Sequence, residues 1–279
     1  MHSPEFYSRL CEKSGLDANI VNKTFSVLDE TELTKLWDLF YEDTQNGKIP
    51  YFKGGFYPDG FYSAAQKISK SKNIPPERLF LYLYTAFAEK SHELHAQMQL
   101  SGDIFFHTFK RIAEYAEEYK KYNGTYGIYD YHFAANHIRG SIIRLGVFEY
   151  GYGSYNNKKS IYLHAPDGVD LSREKRFDSY RLARKYFGKY PIIGDSWLLY
   201  PEHKKILSPD SRILDFLDDF DIVSVVETMD YTELYHVFGR KADYSLPDTL
   251  DAHTSLQKAY IRRIKEKQPI GSAVGVLKY

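Results

Sequence analysis

The spacing of the apolar residues changes near the middle of the chain, and this change constrains the fold more than any single motif. In the first half, apolar side chains recur every three or four positions, which is typical of amphipathic helices. Asp29 with Glu32 predicts a capping box, and Pro75 with the proline after it predicts a second helix start. Asn123-Gly124 predicts a helix end. We therefore predict a helical N-terminal domain over residues 1–124.

From about residue 126, short runs rich in β-branched and aromatic residues alternate with helical stretches. Ser172 is a good N-cap for one helix, and a last helix is predicted from about Thr254. The order β-β-α-β-α-β-β predicts a mixed sheet over residues 125–279. The fold class is thus α+β, a helical domain packed on a mixed-sheet domain with helices on both faces. The predicted strands are Ser141–Tyr150, Ser160–His164, Ile192–Leu199, Asp221–Val226 and Leu234–Phe238.

The charge balance and the cysteine content limit the classes of function. The chain has 279 residues with 37 basic and 37 acidic side chains, so it lacks the surplus of cations expected of a dedicated nucleic-acid binder. Cys11 is the one thiol, which excludes an intrachain disulfide and a cysteine-rich zinc site. Neither a signal peptide nor a membrane-spanning segment is predicted. We expect a cytoplasmic protein that binds neither membranes nor nucleic acid.

Several common catalytic motifs are absent from the sequence. There is no GxxxxGKS/T phosphate loop, no GxGxxG after a strand and no GxSxG nucleophile turn. The segment His92-Glu93-Leu94-His95 spaces its histidines three apart, not the four of a zinc helix, and we interpret it as a polar helix end. Ser196 has no histidine beside it in sequence, so a serine nucleophile is not predicted. We expect no metal ion.

The loop between the strand ending at His164 and the helix starting at Ser172 is the first candidate binding site. A strand-to-helix crossing commonly lines a ligand crevice, and a helix N-terminus offers N–H donors and a positive dipole end to an anion. The many cations of the following helix favour a bound phosphate, whereas Asp167 and Asp170 oppose it. A solvated helix face with ion pairs is the alternative interpretation.

Several side chains near this loop can carry protons. Tyr200 and His203 follow the next strand and can protonate a leaving group, and Glu149 in the predicted hairpin can accept a proton from an amine. His164 can act as a base or contact a substrate, although a lone histidine at a strand end is more often structural. Together these residues surround the predicted anion loop in one strand-helix-strand unit, and this convergence favours them over other surface residues.

Short segments spread along the chain resemble a known family. They are Thr108–Ile112, Tyr122–Gly124, His137–Gly140, Arg144–Gly146, His164–Gly168, Ser196–Leu199, Leu207–Ile213 and Gly271–Leu277. These segments resemble the GNAT acyltransferase superfamily, and the whole chain is similar to bacterial proteins that join a helical N-acyltransferase N-terminal domain to a GNAT-like C-terminal domain. The chain departs from the usual Q/R-x-x-G-x-G/A loop of GNAT enzymes, in whose place it has Pro166–Leu171.

The resemblance implies an N-acyltransferase that uses acetyl-CoA or another acyl-CoA and acylates a small-molecule amine by direct attack. In that mechanism backbone N–H groups of the strand ending at His164 polarise the thioester carbonyl. Glu149 or His137 accepts the proton of the amine through water, and Tyr200 protonates the departing thiolate. The residues implied to hold acyl-CoA are His164, Ala165, Gly168, Ser172 and Arg173.

Two other functions stay open from the sequence. A catalytically silent GNAT-like module that binds a ligand or a partner protein is favoured by the missing glycine-rich loop. A nucleic-acid-binding protein would use the Lys/Arg-rich helix and the 26 tyrosines for phosphate and stacking contacts. The net charge of zero makes nucleic-acid binding the least favoured of the three functions.

Overall fold

The computed structural model describes residues 3–45 and 60–279 and divides the chain into two compact units, Met1–Arg144 and Leu145–Tyr279. The described part of the first unit consists of helices and ends within a short strand, and the second unit contains strands and helices. The division falls 20 residues beyond the boundary expected from the sequence at residue 124, because a further helix precedes the sheet.

Eight helices make up the described part of the first unit. They are α1 (Pro4–Ser14), α2 (Ala18–Val27), α3 (Glu30–Gln45), α4 (Phe61–Lys72), α5 (Pro76–Ala86), α6 (Ala88–Gln97), α7 (Gly102–Asn123) and α8 (Tyr131–Ile138). The predicted caps of α3 are present, since the Glu32 N–H donates to Asp29 at 2.8 Å and the Asp29 N–H donates to Glu32 at 3.3 Å. Helix α5 begins at the second proline, and α7 ends at Gly124 with a φ of 71°, as predicted.

Aromatic rings form much of the core of this unit. Phe40, Phe61, Phe80 and Phe87 are fully buried and contact one another through edge-on or tilted ring pairs with centroids 5.1–5.9 Å apart. The buried Tyr84 donates its hydroxyl hydrogen to the Tyr131 carbonyl at 2.7 Å. Buried tyrosines generally need such a partner. The large aromatic content of the chain therefore serves packing here.

The last turn of α8 is held by two side chains of α6. The His95 Nε2 lies 3.0 Å from the carbonyl oxygen of His137, so this nitrogen carries the hydrogen, and Ser91 donates to the carbonyl of Ile138. These bonds satisfy carbonyls that a helix end leaves without an intrahelical partner. His95 is buried, and burial lowers its pKa from 6.5 to about 4. His95 is therefore neutral in the folded chain at neutral pH.

We expect the folded chain to lose stability as the pH falls from 6.5 towards 4. In this window His95 is protonated in the unfolded chain but not in the folded one, so the free energy of unfolding decreases with falling pH. His95→Gln keeps a hydrogen-bond donor but does not titrate. When the pH falls from 7 to 5, its free energy of unfolding should therefore decrease by about 2 kcal/mol less than that of the wild-type protein. Urea unfolding at both pH values measures the difference, and equal losses in the two proteins would contradict it.

Six strands form one sheet. They are β1 (Ile142–Leu145), β2 (Phe148–Tyr155), β3 (Lys158–His164), β4 (Ile192–Ser196), β5 (Phe220–Thr228) and β6 (Ile270–Leu277), in the spatial order β1-β2-β3-β4-β6-β5. The helices of the second unit are α9 (Arg173–Phe187), α10 (His203–Ile206), α11 (Arg212–Asp218), α12 (Tyr235–Phe238) and α13 (Ser255–Lys265). The predicted α+β class is confirmed.

Two strand predictions were wrong. The run Ser141–Tyr150 forms two strands, because the chain turns at Gly146, which has a φ of 66°. Ser179 lies so close to this glycine that a Cβ there would contact it. The segment Leu234–Phe238 is helical, and the last strand is β6. The β2–β3 hairpin was predicted correctly, and its turn residues Asn156 and Asn157 both have positive φ.

Candidate functional site

The parallel strands β3 and β4 pair only part of the way to their carboxyl ends. Their register runs from Ile161 opposite Ile192 to Leu163 opposite Gly194, although β3 continues for one more residue and β4 for two. The carboxyl ends of adjacent parallel strands are where ligands commonly bind in sheets with helical crossovers. We call the gap beyond Leu163 and Gly194 the crevice.

Each strand remains paired on its outer side beside the crevice. His164 lies opposite Glu149 of β2, and Ser196 lies opposite Ala273 of β6. Directly opposed residues of an antiparallel pair place their side chains on the same face of the sheet. Glu149 and His164, two of the predicted site residues, are thus brought together, with Glu149 only 1% exposed.

The loop from β3 to α9 forms a turn at the predicted position. The Val169 N–H donates to the Pro166 carbonyl at 3.2 Å, and Gly168 has a φ of 70°, which favours glycine. Ala165 is half-buried, whereas Gly168 and Arg173 are exposed. The guanidinium carbon of Arg173 lies 5.3 Å from the ring centre of Phe177. The loop thus presents an exposed cation beside the first turn of α9.

Asp170 uses one of the N–H groups predicted to bind an anion. Its carboxylate accepts from the Ser172 N–H at 2.9 Å and from Arg212 at 3.1 Å. The backbone hydrogen bond, with smaller contributions from Arg212 and Lys175, lowers the pKa of Asp170. The amides of Arg173 and the two residues after it belong to the first helical turn, which has no intrahelical acceptor for them. The anion-binding capacity of the turn therefore falls to these later amides.

Arg176 was predicted as one of the cations beside the anion loop, but it is a buried structural clamp. It is 2% exposed, its Nε lies 2.8 Å from Asp219, and its guanidinium also donates to the carbonyls of Leu171 and Asp215 at 2.6 and 3.3 Å. It fixes the end of the β3–α9 loop against α11. Helical spacing gave a signal for this role, because Arg176 shares one α9 face with the buried Tyr180, Ala183 and Phe187.

Other cations of α9 are also engaged in intramolecular contacts. Arg181 pairs with Asp178 at 3.0 Å, and Arg184 donates to the carbonyls of Tyr190 and Tyr279 at 2.5 and 2.6 Å. The alternative of a helix face with ion pairs is therefore confirmed for Arg181. These contacts weaken the case for nucleic-acid binding by this helix.

Tyr200 lies in a buried network at the end of β4. It has no exposed surface, its hydroxyl hydrogen is donated to Glu227 of β5, and Arg263 of α13 lies 3.5 Å from the same oxygen. Burial, and then the bond to Glu227, raises its pKa far above the ordinary value of 10. A Cβ at Gly271 would lie 2.5 Å from the Tyr200 ring and 2.6 Å from the Val226 carbonyl. The geometry favours a structural tether, and the acid role stays a prediction.

The histidines predicted from the sequence lie in different environments. His137 belongs to α8 of the first unit, where it is buried against Tyr115 and Phe133, whereas the other predicted site residues lie in the second unit. His203 is buried with Nε2 2.7 Å from the Tyr260 hydroxyl, and burial lowers its pKa to about 4. A proton donor at neutral pH needs a higher pKa than this.

Residues 3–45 and 60–279 contain no group of three or more His, Cys, Asp or Glu side chains placed to hold a metal ion. In the segment His92-Glu93-Leu94-His95, His95 is the buried partner of the α8 carbonyl. Ser196 accepts the N–H of Leu198 at 3.1 Å and so caps the short 3-10 helix Trp197–Leu199. Across the described ranges, the helices are too short or too polar to span a membrane.

Two family descriptions match the chain. The GNAT-like C-terminal domain matches residues 97–277, and the N-acyltransferase N-terminal domain matches residues 5–140. The first match covers more than half of the 279 residues. The chain belongs to the family with a GNAT-like C-terminal domain. The resemblance found in the sequence is thus confirmed for both domains of this GNAT-like chain.

Solved structures share the fold. An acyltransferase in complex with decanoyl-CoA and teicoplanin has a TM-score of 0.77 at 18% identity, over 99% of this chain and 88% of that chain. A mutant acyltransferase in complex with octanoyl-CoA has a TM-score of 0.77 at 18% identity, over 100% of this chain and 89% of that chain. An acyltransferase in complex with CoA and 10C-teicoplanin has a TM-score of 0.76 at 18% identity, over 97% of this chain and 87% of that chain. A comparison of the GNAT-like chain with curated proteins finds no match.

We expect the Arg176 clamp to contribute strongly to stability. Arg176→Met leaves the Asp219 carboxylate without its cation, so the free energy of unfolding should fall by about 3 kcal/mol. Adding Asp219→Asn removes the uncompensated charge and should recover part of the loss. The exposed Arg181→Met is the control and should change stability by less than about 0.5 kcal/mol. Equal effects of Arg176→Met and Arg181→Met in urea unfolding would contradict the clamp.

Proposed function

We propose that this GNAT-like chain transfers an acyl group from acyl-CoA to an amine by direct attack. The observation that carries the proposal is the crevice, where the pairing of two parallel strands ends immediately before a turn and the first-turn amides of α9. The family membership supports the same chemistry, as do the neighbours in complex with acyl-CoA or CoA. A cytoplasmic location is part of the proposal and is favoured by the single thiol Cys11.

The residues of the β3–α9 turn fit the phosphates of acyl-CoA. Gly168 lets the backbone approach closely, the first-turn amides of α9 point along the positive end of the helix dipole, and Arg173 supplies an exposed charge. Ser172 contributes through the geometry of the turn, since its own N–H is donated to Asp170. His164 and Ala165 line the crevice between the turn and the sheet.

In the proposed reaction, the amine nitrogen bonds to the acyl carbon, the carbon–sulfur bond breaks, and CoA leaves with its sulfur protonated. The Ile161 N–H donates to the Pro191 carbonyl on the β4 side, so strand alternation directs the His164 N–H towards β2 and makes the N–H of Ala165 the next amide on the crevice side. This amide can stabilise negative charge on the acyl oxygen. Glu149, opposite His164, accepts the proton that the amine nitrogen loses, through a water molecule. The other predicted base, His137, has less support because it packs against Tyr115 and Phe133 in α8. The predicted acid, Tyr200, has less support because its hydroxyl hydrogen is donated to Glu227.

The acceptor is proposed only as an amine of a small molecule. Teicoplanin and 10C-teicoplanin are bound by neighbours that share 18% identity with this chain. This level of identity supports a shared fold but does not identify the acceptor of this chain. The proton acceptor at Glu149 requires a nucleophile that must lose a proton, which an amine satisfies.

A catalytically silent binding module is the second candidate. The observation that favours it is the acidic turn, because Val169 and Leu171 stand where GNAT enzymes carry glycines. The same turn contains Asp167 and Asp170, and Asp170 engages the Ser172 N–H. Such a module would bind its ligand in the same crevice without turnover.

Calorimetric titration with acetyl-CoA and longer acyl-CoAs tests the binding step. We expect binding of at least one acyl-CoA, with affinity reduced about ten-fold in Arg173→Met because a charge-assisted contact to phosphate is lost. The control is Arg181→Met on the same helix, whose cation already pairs with Asp178. Absence of heat with every acyl-CoA would remove the proposed function.

Replacement of Glu149 tests the chemical step. Glu149→Gln keeps the size of the side chain and removes the base, so kcat should fall about 100-fold while the affinity for acyl-CoA changes little. Glu12→Gln, at an exposed position of α1, is the matched control and should keep full activity. The rate of acyl transfer to a panel of primary amines is measured by detecting the free thiol of the released CoA. Unchanged kcat in Glu149→Gln would contradict the assignment, and acyl-CoA binding without any turnover would favour the silent module.

A further inference from the structure

One histidine bridges the two sides of the crevice. His236 of α12 donates from Nδ1 to the Asp167 carboxylate at 2.7 Å, and Asp167 follows the end of β3 by three residues. The same imidazole stacks against the ring of Trp197, with centroids 6.1 Å apart and planes at 16°. Trp197 comes directly after β4. His236 therefore contacts the residues that follow both parting strands.

The segment between β5 and β6 holds this histidine in place. It has an apolar cluster of its own, formed by Leu234, Tyr260, Ile264 and Ile270, against which Trp197 packs. Gln257 of α13 donates to the carbonyl of Val237, the residue after His236, at 3.2 Å. Tyr235 also contacts the imidazole, with ring centroids 3.9 Å apart. The orientation of the imidazole is thus fixed by packing as well as by its hydrogen bond.

The partner of His236 is the acidic side chain that opposes an anion in the turn. A carboxylate near bound phosphates raises their energy by charge repulsion, and engagement by a donor reduces that effect. Asp170 is engaged in a comparable way by Arg212 and the Ser172 N–H. Both carboxylates of the turn thus have donors, and for Asp167 the donor comes from a separate segment.

We propose that His236 is a positioning residue for acyl-CoA binding, because it engages the Asp167 carboxylate and fixes the β3–α9 turn relative to the end of β4. This inference rests on the proposed function and extends it to the segment between β5 and β6. The hydrogen bond from His236 to Asp167 reduces the repulsion between this carboxylate and the phosphates of acyl-CoA when they bind at the turn.

The first test uses acetyl-CoA and calorimetry. His236→Ala should weaken binding about ten-fold, because the Asp167 carboxylate loses the hydrogen bond from His236. Asp167→Asn in the His236→Ala protein should restore most of the affinity, since the repelling charge is gone. The control is His253→Ala, an exposed histidine of the same segment that lies beside Asp251. Unchanged affinity in His236→Ala, or no recovery in the double variant, would overturn the proposal.

The second test needs no acyl-CoA and so separates this inference from the proposed function. In the protein without CoA, amide hydrogen exchange across residues 165–172 should be about ten-fold faster in His236→Ala than in wild type or His253→Ala. Equal exchange in all three proteins would overturn the bridge. If wild type shows the bridge by exchange but binds no acyl-CoA, the proposed function fails and the positioning role for acyl-CoA falls with it.

Discussion

The early end of the pairing between β3 and β4 is the constraint on which the rest of the second unit depends. Beyond Leu163 and Gly194 the two strands keep their outer partners but no longer pair with each other, so the ladder stops joining the backbone polar groups on their facing edges. Such groups need partners, from water, from protein or from a ligand. The β3–α9 turn and the 3-10 helix follow these two strand ends, and His236 contacts a residue of each.

Charge in the β3–α9 turn is balanced by contacts between residues distant in sequence. Asp170 is engaged by Arg212, 42 residues away, and Asp167 by His236, 69 residues away. Arg176 directs its charge to Asp219 and to two carbonyls. Arg173 is an exposed cation at the position where a helix N-terminus already favours an anion. An acidic loop sequence is in this way compatible with an anion site.

Local signals predicted most of the fold because they act over a few residues. The capping box at Asp29, the proline start of α5, the Asn156-Asn157 turn and the limits of α9 all follow from short-range sterics and hydrogen bonds. Leu234–Phe238 was misread as a strand because its aromatic and branched residues suit either structure. Its helical form depends on packing against α13 and Trp197, which spacing along the chain does not reveal.

The candidate site was predicted in position more than in detail. The sequence analysis placed the turn, Glu149 and His164 in one strand-helix-strand unit, because hairpins and crossover order are local. The opposition of Glu149 to His164 came from the structure. It did not predict the burial of Arg176 and Tyr200 or the role of His236, since each depends on a partner 27 to 69 residues away. The resemblance to the GNAT family added the chemistry, which composition and spacing alone did not specify.

Gly271 and Tyr200 occupy one volume in the second unit. The aromatic ring fills the space that any side chain at position 271 would need, and the carbonyl of Val226 closes the other side. A smaller residue in place of Tyr200 would remove only one of these two contacts. The backbone of β5 would still exclude a Cβ, so position 271 stays restricted to glycine unless that strand moves.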